Sequence, residues 1–251
     1  MNFLFLVEGE KTEPKVYKAW LSHLFPNIKF VRKPEDMTGH SCRIIPGHGY
    51  PNMVSTPKSG EGYSRLEACL LDILNFKNVD YFFICVDSEE ESYESRYEEI
   101  SSKLKMFKTK IGLDNDQSTE FHIIVQDCCI ETWALGNSEI PNENQSKGIS
   151  IDFKLFQAYY NVLINDPQEM QNGLSQNIHP TKRFSTKARF HGAYLKEYLS
   201  EFGLSYSKRD PFVIADKKYL NALIKRCDST NHLSSLKNLL DLWQEIRDRH
   251  Y

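Results

Sequence analysis

Short apolar runs alternate with segments of helical periodicity along the first half of the chain. The run at 81–87 is continuously apolar up to its last residue, which is typical of a strand buried on both faces of a parallel sheet. Strand, helix and strand in repeated order predict an α/β fold with a mostly parallel sheet flanked by helices. The predicted strands lie at 3–8, 28–31, 43–45, 81–87 and 121–125, and the predicted helices at 14–24, 63–76 and 90–111.

The second half of the chain predicts a different organisation. We expect an α/β domain over 1–136, then a polar linker or long loop over 137–150. A mainly helical region over 151–251 should follow, pack on the α/β core and form a substrate groove. Its predicted helices lie at 151–163, 186–202, 216–226 and 231–248.

Composition limits the class of protein. The chain of 251 residues is 40% hydrophobic and 26% charged, which is enough to fold around a sizeable core. No apolar run approaches the roughly 20 residues that span a bilayer, and the run at 3–7 lacks the flanks of a signal peptide. Six cysteines show no framework spacing. We therefore expect reduced thiols, a cytoplasmic location and no membrane association.

Charge is distributed unevenly, although the net charge is only −3. Residues 87–100 contain seven acids and one base, whereas residues 179–218 contain nine bases and four acids. An acidic edge together with a basic segment is compatible with a metal centre beside a track for a polyanion.

Carboxylates stand at the ends of two predicted strands. Glu8 ends the first, and Asp87 with Glu89 ends the strand at 81–87. Open α/β sheets place their chemistry at the carboxyl ends of the strands, and Mg²⁺ or Mn²⁺ prefers oxygen ligands. In an extended chain, Asp87 and Glu89 leave on the same side. The alternative is that acids after a strand cap the next helix, which suits the acids that follow Glu89.

Basic residues are interleaved with aromatic ones between positions 182 and 198. Such a pattern is typical of nucleic-acid binding, with charges on phosphates and rings on bases. The aromatic residues at 190, 194 and 198 are four apart, so they can equally form the core face of a helix. The side chains that we expect to contact nucleic acid are Lys182, Arg183, Lys187 and Arg189, with His48 in a glycine turn as a further candidate.

Other kinds of site have weaker support in the sequence. The spacing of His40, Cys42 and His48 is not a recognised zinc pattern, and Cys128 is directly followed by Cys129 instead of forming Cys-x-x-Cys. No nucleophile elbow and no phosphate-binding loop motif appear in the chain.

Four short motifs resemble those of TOPRIM domains, in particular of RloB-like and OLD-type nucleases. Val7–Glu13 resembles the opening motif, and Ile44–Gly49 is similar to the glycine segment after the second strand. Val86–Glu89 resembles the second acidic motif, in which the family usually has Asp-x-Asp and this chain has Glu at the second position. Ile130–Leu135 resembles a Glu-x-Trp helix start. The resemblance covers roughly residues 1–136.

The resemblance implies a TOPRIM-like catalytic domain that acts as a metal-dependent phosphodiesterase with Mg²⁺ or Mn²⁺. It gives Glu8 the role of metal ligand or general base, and Asp87 and Glu89 the role of holding the ion. By the same resemblance, Glu13 and Glu131 would support a second ion or the outer shell of the site. Lys187 is a candidate to neutralise charge in the transition state, as lysines do in OLD-type sites.

The sequence-based hypothesis is therefore a nuclease that cleaves DNA or RNA, including transfer RNA. By the same resemblance, we expect an effector of a bacterial anti-phage system that is controlled by an ABC- or SMC-type ATPase partner. Two alternatives stay open: a catalytically weak subunit that docks nucleic acid or a partner on the sheet rim, and another phosphotransfer enzyme acting on nucleotides.

Overall fold

The chain forms one five-stranded parallel sheet with helices between and after the strands. The computed structural model describes residues 1–56, 62–114, 118–148, 150–170 and 183–250. The strands are β1 Asn2–Val7, β2 Lys29–Phe30, β3 Ser41–Pro46, β4 Tyr81–Asp87 and β5 Glu120–Gln126. The helices before β5 are α1 Thr12–Leu24, α2 Arg65–Phe76 and α3 Tyr93–Ile111. Those after it are α4 Ile130–Ala134, α5 Ile140–Glu143, α6 Ile151–Tyr159, α7 Lys187–Glu201, α8 Phe212–Ala215, α9 Lys217–Ser229 and α10 Ser234–His250.

The predicted fold class is confirmed, because the sheet is parallel and the chain after it is mainly helical. Boundaries of the predicted helices differ from those observed by up to four residues. The helix predicted at 90–111 begins at Tyr93, since the chain turns at Glu89 with a φ of 52° before the helix starts. The helix predicted at 151–163 ends at Tyr159.

The strand order is β2-β3-β1-β4-β5. β4 is therefore an interior strand, as its continuous apolar run predicted. β1 lies in the middle and pairs with β3 on one side and β4 on the other, so that Val7 is opposite both Pro46 and Cys85. The parallel register brings the carboxyl ends of these three strands to one edge of the sheet.

The chain divides into two compact units. The first contains residues 1–86, 94–125 and 250, and the second contains residues 87–93 and 126–249. Among the described residues, no helix combines the length and the apolar character that a membrane crossing requires.

Aromatic rings build the core of the first unit. Phe5 and Phe83, on neighbouring strands, stack with ring centroids 4.4 Å apart. Phe3 meets Phe25 edge to face at 5.2 Å, and Tyr17 of α1 lies 5.7 Å from Phe5. Large buried rings contribute much of the apolar surface that stabilises such a domain. The stacked pair packs β1 against β4.

Tyrosines and a tryptophan organise the second unit. The Tyr198 hydroxyl donates to the Asn137 carbonyl at 2.6 Å, and the Tyr219 hydroxyl donates to the Ala134 carbonyl at 2.7 Å. The indole of Trp133, which is fully buried, donates to a serine hydroxyl of α10 at 2.7 Å. Each bond satisfies a buried polar group while the ring fills the core.

Candidate functional site

The end of β1 is tied to both of its neighbours. The backbone N–H of Glu8 donates to the Cys85 carbonyl at 3.0 Å, and the N–H of Gly47 donates to the Val7 carbonyl at 2.7 Å. Glu8 thus stands one residue after β1, while the adjacent β4 ends at Asp87, two residues after Cys85. The predicted arrangement of two neighbouring parallel strands that end in carboxylates is present.

Glu8 is enclosed by the loop after β3. Its side chain is only 7% exposed, and its carboxylate oxygen Oε1 accepts a hydrogen bond from the N–H of Tyr50 at 3.1 Å. The Glu8 carbonyl also accepts from the N–H of Gly49 at 2.9 Å. The close approach requires glycine at position 47, because a Cβ there would lie 2.8 Å from the Cβ of Met53. This loop fixes the carboxylate that the sequence singled out first.

A second carboxylate of the opening motif is also buried. Glu13 lies in the first turn of α1 and is 7% exposed. Its carboxylate occupies the space beside Gly9, where a Cβ would be 2.0 Å from Oε2. Glycine at position 9 therefore makes room for the Glu13 side chain next to the residue that follows β1. Carboxylates this buried are costly unless they are hydrogen-bonded, paired or bound to a cation.

His48, in the glycine turn, contacts one acidic and one basic side chain. Its Nδ1 lies 2.5 Å from the Glu10 carboxylate, and its Nε2 lies 2.9 Å from the guanidinium of Arg65. Because an arginine can only donate, Nε2 accepts and the ring proton is on Nδ1, which donates to Glu10. This hydrogen bond lowers the pKa of Glu10 below its usual value. Sequence reasoning named His48 but missed Arg65, which is 17 residues away.

In the second unit, the segment after β4 turns sharply. The N–H of Ser88 donates to the Gln126 carbonyl at 2.9 Å, and the N–H of Glu89 donates to the Cys128 carbonyl at 3.0 Å. Glu89 has a left-handed φ of 52°, which is strained for a side chain of this kind. The assumption of an extended chain through Glu89 is therefore wrong, and the two side chains cannot be placed by strand alternation.

Lys187 lies at the same segment. It is the first residue of α7, and its backbone N–H donates to the Glu90 carboxylate at 2.5 Å. A carboxylate at this position satisfies a free N–H of the first helical turn and interacts favourably with the helix dipole. The Lys187 side chain is half-buried. Lys187, which no sequence motif identified, therefore belongs to the same unit as Asp87 and Glu89. The residue that it contacts, Glu90, follows Asp87 by three positions.

Glu131 is buried and held by two partners. Its Oε1 accepts from the Tyr206 hydroxyl at 2.8 Å and lies 3.6 Å from the Lys208 ammonium. Glu131 lies in the first turn of the short helix α4 and is 2% exposed. Tyr206 and Lys208 are about 75 residues further along the chain, and no local signal in the sequence could have identified them.

The basic segment has an exposed and a buried side. Arg183 and Arg189 are exposed, and the guanidinium of Arg189 donates to the Ser185 hydroxyl at 2.9 Å. Lys182, the remaining basic candidate, lies outside the described residues. The aromatic residues of α7 are core residues, because Phe190 is 1% exposed and the tyrosines at 194 and 198 are fully buried. These three rings are therefore unavailable to stack on bases.

Two cysteines and a histidine form a buried cluster, although the spacing of the cysteines in the sequence did not indicate a metal site. Potential ligand atoms of Cys128, Cys129 and His191 lie within 4.8 Å of one another, and all three residues are buried. The Thr132 hydroxyl accepts from the N–H groups of both cysteines at 3.3 Å, so its single proton is donated to Nδ1 of His191 at 2.7 Å. Burial, together with the charge of Lys187, lowers the pKa of His191 to about 3.

The donor atoms of this cluster do not fit Mg²⁺. Sulfur and nitrogen suit zinc and softer ions, whereas Mg²⁺ takes oxygen ligands. A hydrogen bond to Cys128, together with burial, raises the pKa of Cys129 well above its usual value, so the thiol stays protonated. Carboxylate oxygens are the donor type that Mg²⁺ and Mn²⁺ take, and Glu8 and Asp87 carry them at the ends of two paired strands.

Comparison of the chain with protein-family models, with curated proteins and with solved structures finds no match.

Proposed function

We propose that the protein is a phosphodiesterase that uses Mg²⁺ or Mn²⁺ to cleave nucleic acid, with a centre of the TOPRIM kind. One observation carries the proposal: Glu8 directly follows β1, and the neighbouring parallel strand β4, paired through Val7 and Cys85, ends at Asp87. Hard divalent ions in phosphoryl-transfer enzymes are held by one or two carboxylates together with substrate phosphates. Acidic side chains on two adjacent strand ends supply such ligands.

Each acidic residue has a role in binding the ion. Glu8, Asp87 and Glu89 would hold the ion, with Glu13 and Glu131 as supporting carboxylates. When bound, Mg²⁺ supplies positive charge that stabilises the attacking and leaving oxygens of the phosphodiester.

Three side chains have further tasks in this mechanism. The enclosed carboxylate of Glu8 is held by the Tyr50 N–H, which orients it to accept a proton from the attacking water. Lys187 opposes the negative charge that grows on the phosphoryl group. Tyr206 and Lys208 keep the Glu131 carboxylate in one position.

The substrate and the setting follow from the resemblance and the charge distribution. We infer a DNA or RNA substrate, including transfer RNA, whose phosphates contact Arg183, Arg189 and Lys182. We further infer a cytoplasmic effector of anti-phage defence that acts under an ABC- or SMC-type ATPase partner. Fold-level analogy supports these last two inferences and the site does not.

A cleavage assay with isosteric variants tests the proposal. Purified protein is incubated with plasmid, single-stranded DNA and transfer RNA, with Mg²⁺, with Mn²⁺ or with EDTA. We expect ion-dependent cleavage that Glu8→Gln and Asp87→Asn each reduce at least about a hundredfold, since each removes charge from the centre without changing its shape. Glu91→Gln is the matched control, because this exposed acid lies four residues from Asp87 and should leave the rate unchanged.

The outcomes separate the hypotheses. Cleavage that survives both Glu8→Gln and Asp87→Asn would contradict the assignment of the metal centre. Absence of cleavage by the unmodified protein, even with an ATPase encoded beside it, combined with tight nucleic-acid binding, would instead favour the docking subunit. Activity on free nucleotides alone would favour the other phosphotransfer enzyme.

A further inference from the structure

A pocket lies beside the loop that encloses Glu8. It has a volume of about 490 Å³ and belongs to the first unit. This volume falls within the range of roughly 300–1,000 Å³ that is usual for small-ligand sites. Among the described residues that line it, one carries a permanent charge and none is a carboxylate; they are Gly47, His48, Pro51, Asn52, Ser55, Thr56, Tyr63, Ser64, Arg65 and Ala68.

Arg65 is the charged group among the described lining residues. Among the residues that the structure describes, its guanidinium contacts the ring of His48 and no carboxylate. His48 is in turn fixed by Glu10, so the histidine acts as an acceptor that orients the guanidinium. Four of the five N–H donors of an arginine remain after one bond of this kind. An oriented guanidinium without an acidic partner is suited to a phosphate.

The remaining walls suit the rest of a nucleotide. The hydroxyls of Ser55 and Thr56 are exposed at the pocket and can donate to phosphate or sugar oxygens. The ring of Tyr63 is 57% exposed, which is unusual for a large aromatic side chain and leaves a face open for stacking. Ser64 and Glu67 form a capping box at the start of α2, so their backbone N–H groups are already bonded and do not compete with Arg65 for a phosphate.

The pocket and the proposed reaction edge share one loop. Gly47 and His48 line the pocket, while the next two residues of the loop donate N–H bonds to Glu8. We propose that this pocket binds one nucleotide of a single-stranded substrate next to the scissile phosphate, with its phosphate on Arg65 and its base against Tyr63. A base inside a duplex is already stacked on both faces and cannot lie on such a ring. This inference rests on the proposed function and adds the class of substrate.

Binding in the absence of metal separates this inference from catalysis. Fluorescence anisotropy with labelled dT12 and U12 oligonucleotides in EDTA measures affinity without cleavage, and the two probes distinguish DNA from RNA. We expect Arg65→Ala to weaken binding about tenfold and to reduce the slope of log K against log salt by about 0.7, as loss of one phosphate contact does. Tyr63→Ala should weaken binding about tenfold, whereas Tyr63→Phe, which keeps the ring, should not.

Two controls make the test specific. Arg32→Ala removes the same charge from another exposed position of the first unit and should change affinity less than twofold. A dA12·dT12 duplex should bind with an affinity that Tyr63→Ala does not alter. Because the Tyr63 and Arg65 side chains are exposed, circular dichroism should show unchanged folding of the variants.

The inference is overturned if Arg65→Ala and Tyr63→Ala bind dT12 and U12 as Arg32→Ala does, or if Tyr63→Ala weakens duplex binding equally. Cleavage that depends on Glu8 would persist in that case, so the proposed function would stand without the pocket. Conversely, loss of binding in both pocket variants supports the pocket even when no cleavage is found.

Discussion

The backbone N–H of Lys187 donates to the carboxylate of Glu90, which joins residues that are 97 positions apart in the chain. The bond fixes the first turn of α7 against the short segment that follows β4. The backbone of Lys187 therefore has a defined position next to Glu90, which follows Asp87 by three residues.

Replacement of Lys187 should affect activity more than stability. Under the proposed mechanism, Lys187→Ala lowers kcat at least about tenfold, because one positive charge near the reacting phosphate is lost. The melting temperature should stay unchanged, since the backbone bond to Glu90 does not need the side chain. Lys196→Ala, an exposed lysine of the same helix, is the control and should keep full kcat. Equal kcat for both variants would remove Lys187 from the mechanism.

The Tyr206 hydroxyl should tune metal affinity through Glu131. Tyr206→Phe deletes the 2.8 Å bond to Oε1 and leaves the ring in place. If Glu131 supports an ion, the Mg²⁺ concentration for half-maximal cleavage should rise about tenfold, and titration calorimetry should show the same weakening. Tyr198→Phe removes a comparable buried hydroxyl bond to a backbone carbonyl and should leave Mg²⁺ affinity unchanged. A similar shift in both variants would show a general effect on stability.

Gly47 should be intolerant of any side chain. A Cβ at this position would approach the Met53 Cβ to 2.8 Å and the Val7 carbonyl to 3.0 Å, so Gly47→Ala overpacks the loop that encloses Glu8. We expect the free energy of unfolding to fall by about 1–3 kcal/mol in chemical denaturation. Gly192→Ala is the opposite case, because its Cβ would meet Glu131 at an ordinary 3.9 Å within a helix. That variant should be neutral or up to about 1 kcal/mol more stable.

Glu201 should protect the polar segment before α6 from proteases. Its carboxylate accepts from the Ser146 hydroxyl, from the N–H of Gly148 at 2.9 Å and from the N–H of Ser150 at 3.1 Å. The bond from Ser146, with the two N–H bonds, holds the pKa of Glu201 below its usual value despite the opposing effect of burial. Glu201→Gln should therefore speed tryptic cleavage after Lys147 several-fold. Mass spectrometry of samples taken over time measures this rate.

A matched acid elsewhere serves as the control for this proteolysis. Glu245→Gln changes an exposed carboxylate of α10 and should leave cleavage after Lys147 at the original rate. If Glu201→Gln is cleaved no faster than Glu245→Gln, the three bonds do not restrain the segment.

His191 should make folding stability sensitive to mild acid. Its pKa is lowered by burial from an ordinary value of 6.5 to about 3. Between these values, the unfolded chain binds a proton that the folded chain does not, so stability falls as pH drops below about 6.5 and is unaffected above it. We expect a loss of about 1 kcal/mol between pH 7.5 and pH 5.5 from this group.

The contribution of His191 can be isolated by difference. His191→Asn keeps an acceptor near Thr132 but cannot titrate in this range, so its stability should depend less on pH. Urea denaturation of both proteins at pH 7.5 and pH 5.5 measures the change. A variant with the same pH dependence as the original protein would show that the pKa of His191 is the same in the folded and the unfolded chain.

The sequence by itself determined the order of strands and helices and the residues at the strand ends. Both depend on local information: the continuous apolar run of β4 requires an interior strand, and helical periodicity requires a buried face. Because parallel strands share one edge for their carboxyl ends, Glu8 and Asp87 could be assigned to that edge from the sequence alone. The core role of Phe190 on α7 also followed from its spacing, as one of two alternatives.

Only the tertiary structure decided how side chains are held. The turn at Glu89 results from hydrogen bonds that the N–H groups of residues 88 and 89 donate to carbonyls near the end of β5. The alternation of side chains along a strand does not predict such bonds. The pairs Lys187 with Glu90, Glu131 with Tyr206, and His48 with Arg65 join positions from 17 to 97 residues apart. Such contacts arise from the packing of whole elements, whereas sequence periodicity reports only which face of one element is buried.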